Sequence, residues 1–217
     1  MSALLTDLRL PLSEETARGL ALGQMVTVSG LMFTGRSRFH IRAIQDNVLP
    51  PIRFDEINAF FHVGPVMRQV GGEWQVVSCE PTSSIRFERY GPDVVRRLKL
   101  RALLGKTTMG PGTAKALAEV GGVHLSKIGL CGNALARRIK KVHAGYFVEE
   151  LGKTEATWVF EVERFGPFFV DMDARGANYF EDLDRAARER MAEQLERLGV
   201  PRDYAWTSVS GEGCEAQ

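Results

Sequence analysis

The chain has 217 residues, of which 44% are hydrophobic and 25% charged, and its formal net charge is +1. These values are ordinary for a soluble globular protein, and the length suits one large domain or two small ones. A charge near zero argues against a dedicated nucleic-acid binder, and no apolar run reaches the roughly 20 residues of a membrane helix. Charged residues lie among the N-terminal leucines without a signal-peptide pattern, so we expect a cytoplasmic protein.

The cysteines and histidines form no recognisable metal-binding pattern. The cysteines are far apart in the sequence, at Cys79, Cys131 and Cys214. They include no Cys-x-x-Cys pair, so neither a full disulfide framework nor a zinc or cluster site is predicted. The histidines are equally scattered, at His40, His62, His124 and His143. We therefore predict no metal ligand in this chain.

The first two thirds of the chain alternate between predicted strands and helices. Residues 1–20 read as an extended lead-in, with one helical turn at residues 13–18. Strands are then predicted at residues 25–29, 60–63, 74–78, 102–104 and 123–128. Helices are predicted at residues 37–46, 84–90, 93–98, 113–120 and 133–140, with a hairpin connection at residues 66–72. This alternation indicates an α/β fold with a mostly parallel βαβ core.

The last third is predicted to add antiparallel strands and a final helix. Residues 142–149, 157–162 and 168–172 follow one another without an intervening helix, which favours a mixed sheet. We expect one layered β/β/α domain over residues 21–200, followed by a disordered tail at residues 201–217. The domain should end in an amphipathic helix with one buried stripe, because apolar residues repeat at helical spacing. These residues are Phe180, Leu183, Ala187, Met191, Leu195 and Leu198.

The segment at residues 79–87 is rich in groups that bind anions. Three hydroxyls in a row, on Thr82, Ser83 and Ser84, follow an apolar run and precede Arg86. Hydroxyls and free backbone N–H groups at a helix start can bind an anion, and a guanidinium suits a carboxylate or phosphate. The alternative interpretation is an ordinary helix N-cap followed by a surface arginine.

Two more predicted strand ends present a hydroxyl together with a cation. Thr34 and Arg36 follow one predicted strand, and Lys106 with Thr107 follows another. Residues gathered at the strand ends of an α/β sheet commonly form a ligand site. We therefore expect the three segments to converge on an anion.

Motifs of self-contained catalytic sites are missing from the sequence. Gly105-Lys106-Thr107 is similar to the end of a phosphate-binding P-loop, but that motif needs a glycine where the chain has Leu100. The sequence also lacks the Gly-x-Ser-x-Gly, His-Glu-x-x-His and Gly-x-Gly-x-x-Gly motifs. A nucleophilic or zinc mechanism confined to this chain therefore has no support.

Several short motifs follow one another in an order typical of one enzyme family. They are Thr34-x-Arg36 with His40, His62-Val63-Gly64-Pro65, Pro81-Thr82-Ser83-Ser84-x-Arg86 and Gly105-Lys106. Further matches are Met109-Gly110-Pro111, Trp158, Phe165-Gly166-Pro167, Asp173, Gly176 and Asn178. In order and spacing they resemble the β subunit of the iron–sulfur-dependent class I fumarate hydratases and L(+)-tartrate dehydratases. The resemblance covers roughly residues 20–180, and residues 61–68 and 74–78 are closer to the tartrate branch.

This resemblance implies a swivelling β/β/α domain that acts as the β subunit of a hydro-lyase. Such an enzyme reversibly removes water from a hydroxy-dicarboxylate of the L-tartrate or malate/fumarate type. A [4Fe–4S] cluster held by cysteines of an α subunit would polarise the leaving hydroxyl. The implied partners are that α subunit, in an α2β2 assembly, and a small dicarboxylate, with neither nucleic acid nor a membrane.

The resemblance also assigns roles to residues of this chain. Arg36 and Arg86 would bind the two carboxylates of the substrate. Thr82 would be the base, and because its hydroxyl is a weak acid it needs a carboxylate of the α subunit to take its proton. Ser83 would donate one hydrogen bond, and Lys106 would stabilise a carbanion-like intermediate.

His40 and two departures from the family pattern leave alternatives open. His40 would either orient Arg36 or contact the substrate. Ser37 replaces a residue that is usually acidic, so the salt bridge that holds the neighbouring arginine is expected to be missing. Glu80 replaces a glycine, and its charge would either shift the substrate or pair with an arginine such as Arg89. Because of these departures, a non-catalytic module that binds a small carboxylate or a partner protein is the alternative function.

Overall fold

The chain folds as a mixed α/β structure, and the computed structural model describes residues 5–129 and 131–200. The strands of these residues are β1 Thr6–Arg9, β2 Met25–Gly35, β3 Ala59–His62, β4 Val66–Val70, β5 Glu73–Ser78, β6 Ala102–Gly105, β7 Val123–Lys127, β8 Ile139–Tyr146 and β9 Thr157–Met172. The helices are α1 Glu14–Gly19, α2 Ser37–Ile44, α3 Gly91–Leu98, α4 Pro111–Val120, α5 Gly132–Ala136, α6 Val148–Glu155 and α7 Tyr179–Arg197, with a 3-10 helix at Ser84–Phe87. The predicted tail at residues 201–217 lies outside the described residues.

Seven of these strands form one mixed sheet. Its order is β1-β2-β3-β6-β7-β9-β8, and β2 also pairs with β9, so that β2, β3, β6, β7 and β9 form a closed ring. Strands β1, β2, β3, β6 and β7 pair in parallel with one another. Strand β9 runs antiparallel to β2, β7 and β8. The predicted α/β class with a mixed sheet is confirmed. The swivelling assignment stays a prediction.

Both faces of the sheet are covered by apolar side chains. On β3, Phe61 belongs to one hydrophobic cluster together with Leu104 and Phe168. The neighbouring Phe60 belongs to a second cluster, which includes side chains of α2, α3 and α4. Strands buried on both faces read as continuous apolar runs, which is why their sequence signal is strong. This arrangement fixes the ends of β2, β3 and β6 in a rigid frame.

The lead-in predicted at residues 1–20 contains regular structure. Strand β1 pairs in parallel with the first half of β2. Helix α1 follows within the segment where a helical turn is predicted, and the Ser13 side chain caps it by accepting a hydrogen bond from Thr16 N at 3.1 Å. Leu8, Leu12 and Ala17 are buried in the hydrophobic core. The lead-in therefore extends the sheet and its core.

The region between residues 130 and 172 differs from the prediction. Helix α5 is only five residues long, and β8 already begins at Ile139, inside the predicted helix. Helix α6 lies between β8 and β9, where no helix is expected. Residues 157–162 and 168–172 are two parts of the single 16-residue strand β9. Pairing of β8 and β9 decides the structure here, because tertiary contacts override weak local preferences. The predicted antiparallel pairing is confirmed.

Two further segments have a different form from the one predicted. The predicted hairpin connection at residues 66–72 contains β4, which pairs antiparallel with β5 as a separate two-stranded sheet. The helix predicted at residues 84–90 is a short 3-10 helix. The sequence shows where the chain turns here, but it does not separate a 3-10 helix from an α-helix.

The described residues divide into two compact units between Tyr179 and Phe180. The second unit contains most of α7, none of whose residues is buried. The prediction of a buried apolar stripe is therefore wrong for this chain, and Leu183 and Met191 are about half exposed, at 49% and 51%. Helical spacing shows that a stripe exists but not what covers it. No helix among the described residues has both the length and the apolar composition of a membrane span.

Candidate anion site at the strand ends

The candidate site lies at the carboxyl ends of three parallel strands. β2 pairs with β3, and β3 with β6, so their last residues Gly35, His62 and Gly105 lie at one edge of the sheet. Arg36 follows β2 directly and Lys106 follows β6 directly. Topology thus places the two predicted cations at the same edge.

Thr82 is held between the ends of β3 and β6. Its backbone N–H donates to the carbonyl oxygen of His62 at 2.7 Å, and its own carbonyl accepts from Lys106 N at 3.3 Å. An isolated bridge between Val63 and Pro81 fixes the preceding residue. Thr82 and Ser83 are half-buried. The predicted meeting of the Thr82 segment with Lys106 is therefore present.

Ser84 holds the segment at residues 79–87 to the end of β3. It is fully buried, and its Oγ lies 2.9 Å from Nδ1 of His62. Position 105 needs a glycine, because a Cβ there would overlap Ser84 Oγ. Ser83 makes no side-chain capping bond to the 3-10 helix, so the predicted N-cap is not formed. Arg86 lies on that helix with an exposed side chain.

Glu88, which the sequence reasoning missed, joins this helix to the loop that follows Lys106. Its carboxylate accepts from Gly110 N at 2.7 Å, from Thr113 N at 3.0 Å and from Thr113 Oγ1 at 2.7 Å. These donors form the N-terminus of α4, whose dipole favours a negative charge. The start of α4 therefore already binds an anion of the chain itself, and its N–H groups are not free for an external ligand.

Arg36 is paired with an acid that the sequence did not reveal. Its Nη1 lies 3.6 Å from Oε1 of Glu155, at the end of α6. The other carboxylate oxygen, Oε2, accepts from Arg38 N at 3.0 Å. The expectation that Arg36 lacks a salt bridge, because Ser37 is not acidic, is therefore wrong. Arg36 Nε is buried and has no hydrogen-bond partner among the described residues.

Glu80 is also neutralised, but not by the arginine considered above. Its Oε1 lies 2.5 Å from Nζ of Lys127, at the end of β7. Arg89 instead lies over the ring of Tyr90, 5.6 Å from the ring centroid. The carboxylate next to Pro81 therefore brings no net negative charge to this edge of the sheet.

Two cations at this edge keep their charge uncompensated. Among the described residues, neither the Arg86 nor the Lys106 side chain has a hydrogen-bond or ion-pair partner. Both side chains are exposed. With Arg36 and Lys127 each facing a carboxylate, the local excess of positive charge comes from Arg86 and Lys106. Such an edge favours an anionic ligand.

His40 lies beneath the site and not at its surface. It is 1% exposed, its ring stacks on Phe87 with 4.6 Å between centroids, and its Nε2 lies 3.2 Å from Nε2 of His62. Burial lowers the pKa of His40 to about 3, so the ring is neutral. Burial, with His40 and His124 nearby, also lowers the pKa of His62 well below its ordinary value. Of the two roles considered for His40, its position favours orientation of the site.

A second buried pair, also missed from the sequence, lies beside this cluster. Nδ1 of His124 on β7 is 2.6 Å from Oδ1 of Asp171 on β9, and both side chains are fully buried. Nε2 of His124 would be 3.3 Å from a Cβ on Gly105. No local pattern marks this pair, because its members are 47 residues apart.

Comparison with known proteins places the chain in a family. The sequence profile described as "Fumarase C-terminus" matches residues 3–183. The chain belongs to this family. The predicted resemblance is thereby confirmed over most of the sequence.

Members of the fumarase C-terminus family that are similar to the chain include separate subunits and parts of longer proteins. The present chain is 31% identical over 187 residues to "Putative L(+)-tartrate dehydratase subunit beta" of Methanocaldococcus jannaschii. The match covers 85% of this chain and 95% of that protein. The chain is 28% identical over 189 residues to "L(+)-tartrate dehydratase subunit beta" of Escherichia coli K12, covering 87% and 92%. It is 35% identical over 187 residues to "Putative fumarate hydratase class I" of Geobacillus stearothermophilus, covering 86% of this chain but 35% of that protein.

The two cysteines among the described residues do not fit an iron–sulfur cluster. Cys79 is buried, and burial together with Glu80 raises the pKa of its thiol to about 12, which opposes the thiolate that a cluster needs. Cys131 is exposed, and Cys214 lies outside the described residues. Among the described residues no group of three or more His, Cys, Asp or Glu side chains could hold a metal ion. The described residues therefore offer no ligand set for such a cluster.

Proposed function

We propose that this chain is the β subunit of an iron–sulfur-dependent hydro-lyase that removes water reversibly from a hydroxy-dicarboxylate. The main support is the strand-end site of a member of the fumarase C-terminus family, where Arg36 and Lys106 follow β2 and β6, Thr82 is held between β3 and β6, and Arg86 lies four residues after Thr82. The substrate would be of the L-tartrate or malate/fumarate type. Two cations without an internal partner and one arginine held by Glu155 suit a small diacid.

Each residue has a task in this proposal. Arg36 and Arg86 bind the two carboxylates, and Ser83 donates one further hydrogen bond. Thr82 removes the carbon-bound proton and passes it to a carboxylate of the partner subunit, because a threonine hydroxyl is too weak an acid to act alone. Lys106 stabilises the negative charge that develops on the substrate.

The [4Fe–4S] cluster is proposed to belong to the partner α subunit, because the cysteines described here do not fit it. The chain would act in an α2β2 assembly in the cytoplasm. The β-subunit names of two relatives support a partner chain for those proteins, and we extend this to the present one.

The alternative of a non-catalytic binding module loses its main support. It rested on Ser37 and Glu80, the two departures from the family pattern. Glu155 supplies an acid to Arg36, and Lys127 neutralises Glu80. These two ion pairs support the hydro-lyase proposal over the binding module.

The test is to assay the complex of this chain with its α subunit under anaerobic conditions. C4 and C5 hydroxy-diacids would be offered one at a time, and the unsaturated or keto product measured. We expect turnover of at least one C4 substrate, none by this chain alone, and a colourless isolated chain. Arg86→Lys in the complex should lower kcat/KM about ten- to a hundredfold, because the planar fork is lost. An iron-loaded complex without turnover of any diacid would contradict the proposal.

A further inference from the structure

The stem of Arg36 is confined by groups that are distant in the sequence. Arg36 precedes α2 as its N-cap residue and has no side-chain capping bond. A Cβ on Gly64 would lie 2.6 Å from Arg36 Cδ and 2.6 Å from Thr154 Cγ2. The absence of a side chain at Gly64 thus leaves a slot for the arginine stem, and Thr154 of α6 lies on the far side of that slot. The stem position is therefore determined by the loop after β3 and by α6 together.

Glu155, the next residue of α6, contacts both the guanidinium and the backbone of α2. Oε2 accepts from Arg38 N, one of the free N–H groups of the first helical turn, at 3.0 Å. Oε1 lies 3.6 Å from Arg36 Nη1, which is ion-pair distance but too long for a hydrogen bond. The carboxylate is thus fixed by the helix backbone, and among the described residues no N–H group of the Arg36 guanidinium donates a hydrogen bond.

The Arg36 and Glu155 side chains are also buried enough for their electrostatic attraction to restrain the guanidinium. Arg36 and Glu155 are 25% and 24% exposed. Ion pairs at full exposure contribute little, whereas partly buried pairs are screened less by water and salt. A bidentate contact with a carboxylate needs the guanidinium plane in one orientation. Glu155 supplies such a restraint at Nη1.

From this geometry we propose that Glu155 is a positioning residue that holds the Arg36 guanidinium ready for a substrate carboxylate. The proposal rests on the proposed function in taking the ligand to be a carboxylate. It adds α6 to the site, although no residue of α6 belongs to the strand ends that form the rest of it. Glu155 itself does not contact the substrate.

The chain offers a matched control on the same two helices. Glu150 of α6 pairs with Arg42 of α2 at 2.6 Å, and Glu150 is more exposed than Glu155. Glu150→Gln and Glu155→Gln remove the same charge from the same helix and weaken the same α2–α6 contact. Only Glu155→Gln removes the carboxylate next to Arg36. Any general loosening of α6 should therefore be seen in both variants.

The first measurement does not depend on turnover. In the full chain, ¹⁵N relaxation of arginine Nε–H groups reports the mobility of each guanidinium. We expect the Arg36 signal to be rigid in the unaltered chain and in Glu150→Gln, and mobile in Glu155→Gln. An Arg36 signal that is equally rigid in Glu155→Gln would overturn the proposal, whatever reaction the complex catalyses.

The second measurement uses the complex with the α subunit and its diacid substrate. Glu155→Gln should raise KM about tenfold, the effect of one charge-assisted interaction, with kcat changed less than about threefold. In an Arg36→Lys background the same change should have little further effect, because Glu155 acts through the arginine. Additive losses would overturn the positioning role. Absence of any diacid turnover by the unaltered complex would instead count against the proposed function, and the relaxation data would still decide on Glu155.

Discussion

At the scale of single residues, the strand-end site contains two kinds of cation. Arg36 and Lys127 each face a carboxylate, whereas Arg86 and Lys106 have no side-chain partner among the described residues. A cation with a fixed internal partner keeps its orientation, and a cation without one can take an anion as its first partner. The two kinds therefore suit different tasks, namely orientation of the ligand and supply of positive charge.

Thr82 is the residue whose position is fixed best within the site. Its backbone N–H and C=O are both used, by His62 and Lys106, so the hydroxyl has a defined place between two strand ends. Ser83, the next residue, is half-buried but has no such pair of backbone bonds. A group that transfers a proton needs a fixed position more than a group that only donates a hydrogen bond.

Replacing these two hydroxyls should separate chemistry from binding. Thr82→Val keeps the shape of the side chain and removes the hydroxyl, so kcat should fall by about a hundredfold or more while KM changes little. Ser83→Ala removes one neutral hydrogen bond and should be milder by about tenfold or more. Steady-state kinetics of both variants in the complex measures this.

Both variants must assemble with the α subunit and keep their circular dichroism spectrum for the comparison to hold. Equal losses of kcat in the two variants, or normal turnover by Thr82→Val, would show that Thr82 is not the base. Glu80 would then be the first replacement to test, because it lies two residues away.

At the scale of secondary-structure elements, the site depends on a contact between the 3-10 helix and α4. Glu88 follows the helix that contains Arg86, and it binds three donors at the start of α4. The loop at residues 106–110 lies between β6 and that helix start. One carboxylate thus holds in place both elements from which the uncompensated cations project.

Loss of Glu88 should destabilise the fold. Glu88→Ala leaves two backbone N–H groups and the Thr113 hydroxyl without their acceptor, which should lower the free energy of unfolding by about 2–4 kcal/mol. Urea unfolding followed by circular dichroism measures the change. The control is Glu119→Ala. Glu119 lies on α4, the helix whose start Glu88 caps, and it is an exposed ion-pair partner of Arg96, so its loss should have a much smaller effect. Equal shifts in the two variants would contradict the capping role of Glu88.

The elements that the sequence predicts best are those whose signal is local. The apolar runs of β3, β5, β6 and β7 are predicted to within one residue of their bounds. Hydroxyls and cations follow soon after β5 and β6, so the meeting of these two segments could be expected from the sequence. Strand β9 was divided in two because Gly166-Pro167 interrupts its apolar pattern, although the paired strand continues through it. Helix α6 was missed because it contains Gly152, whose φ of 73° interrupts the helix. Short or broken elements depend on their neighbours for their form.

The same reasoning separates the predicted site residues from the missed ones. Arg36 and Lys106 follow β2 and β6, so parallel pairing through β3 brings them to one end of the sheet. Thr82 follows β5, which belongs to the separate two-stranded sheet, and it reaches the same place through its backbone bonds to His62 and Lys106. Glu155 contacts a residue 117 positions away, and no local pattern indicates such a contact. Whether His40 faces the ligand or the core depends on the packing of α2 against the sheet, which periodicity alone does not determine.

At the scale of the whole molecule, neutral histidines are built into the interface between the sheet and its helices. His40 on α2 and His62 on β3 contact each other in a layer of aromatic rings that includes Phe60 and Phe87. Burial lowers the pKa of His40 to about 3 and lowers that of His62 as well. A proton on either ring would place a charge in this layer, which the fold resists.

This burial predicts that the fold loses stability as the pH falls from about 6.5 to 5. Above about pH 7 both rings are neutral in the folded and the unfolded chain, so they add no pH dependence. Below the unfolded pKa of about 6.5 the unfolded chain binds protons that the folded chain rejects. Each histidine should then lower the free energy of unfolding by about 1.4 kcal/mol per pH unit. Urea unfolding at several pH values in this window measures the slope, and the window lies above the range in which Glu14, Glu119 and Glu163, whose pKa values are lowered by their ion pairs, take up protons.

Two variants test whether the slope of the free energy of unfolding against pH comes from the buried histidines. His40→Gln keeps a hydrogen-bonding side chain of similar size and removes one titrating group, so the slope between pH 5 and 6.5 should fall by about 1.4 kcal/mol per pH unit. His143→Gln removes a histidine that is exposed on β8 beside Glu161, and it is the control for loss of a histidine outside the buried layer. If His40→Gln kept the full slope while remaining folded, the acid sensitivity would have to come from carboxylates. The sheet–helix interface, in which His40 contacts His62, would then tolerate a charge that its burial should exclude.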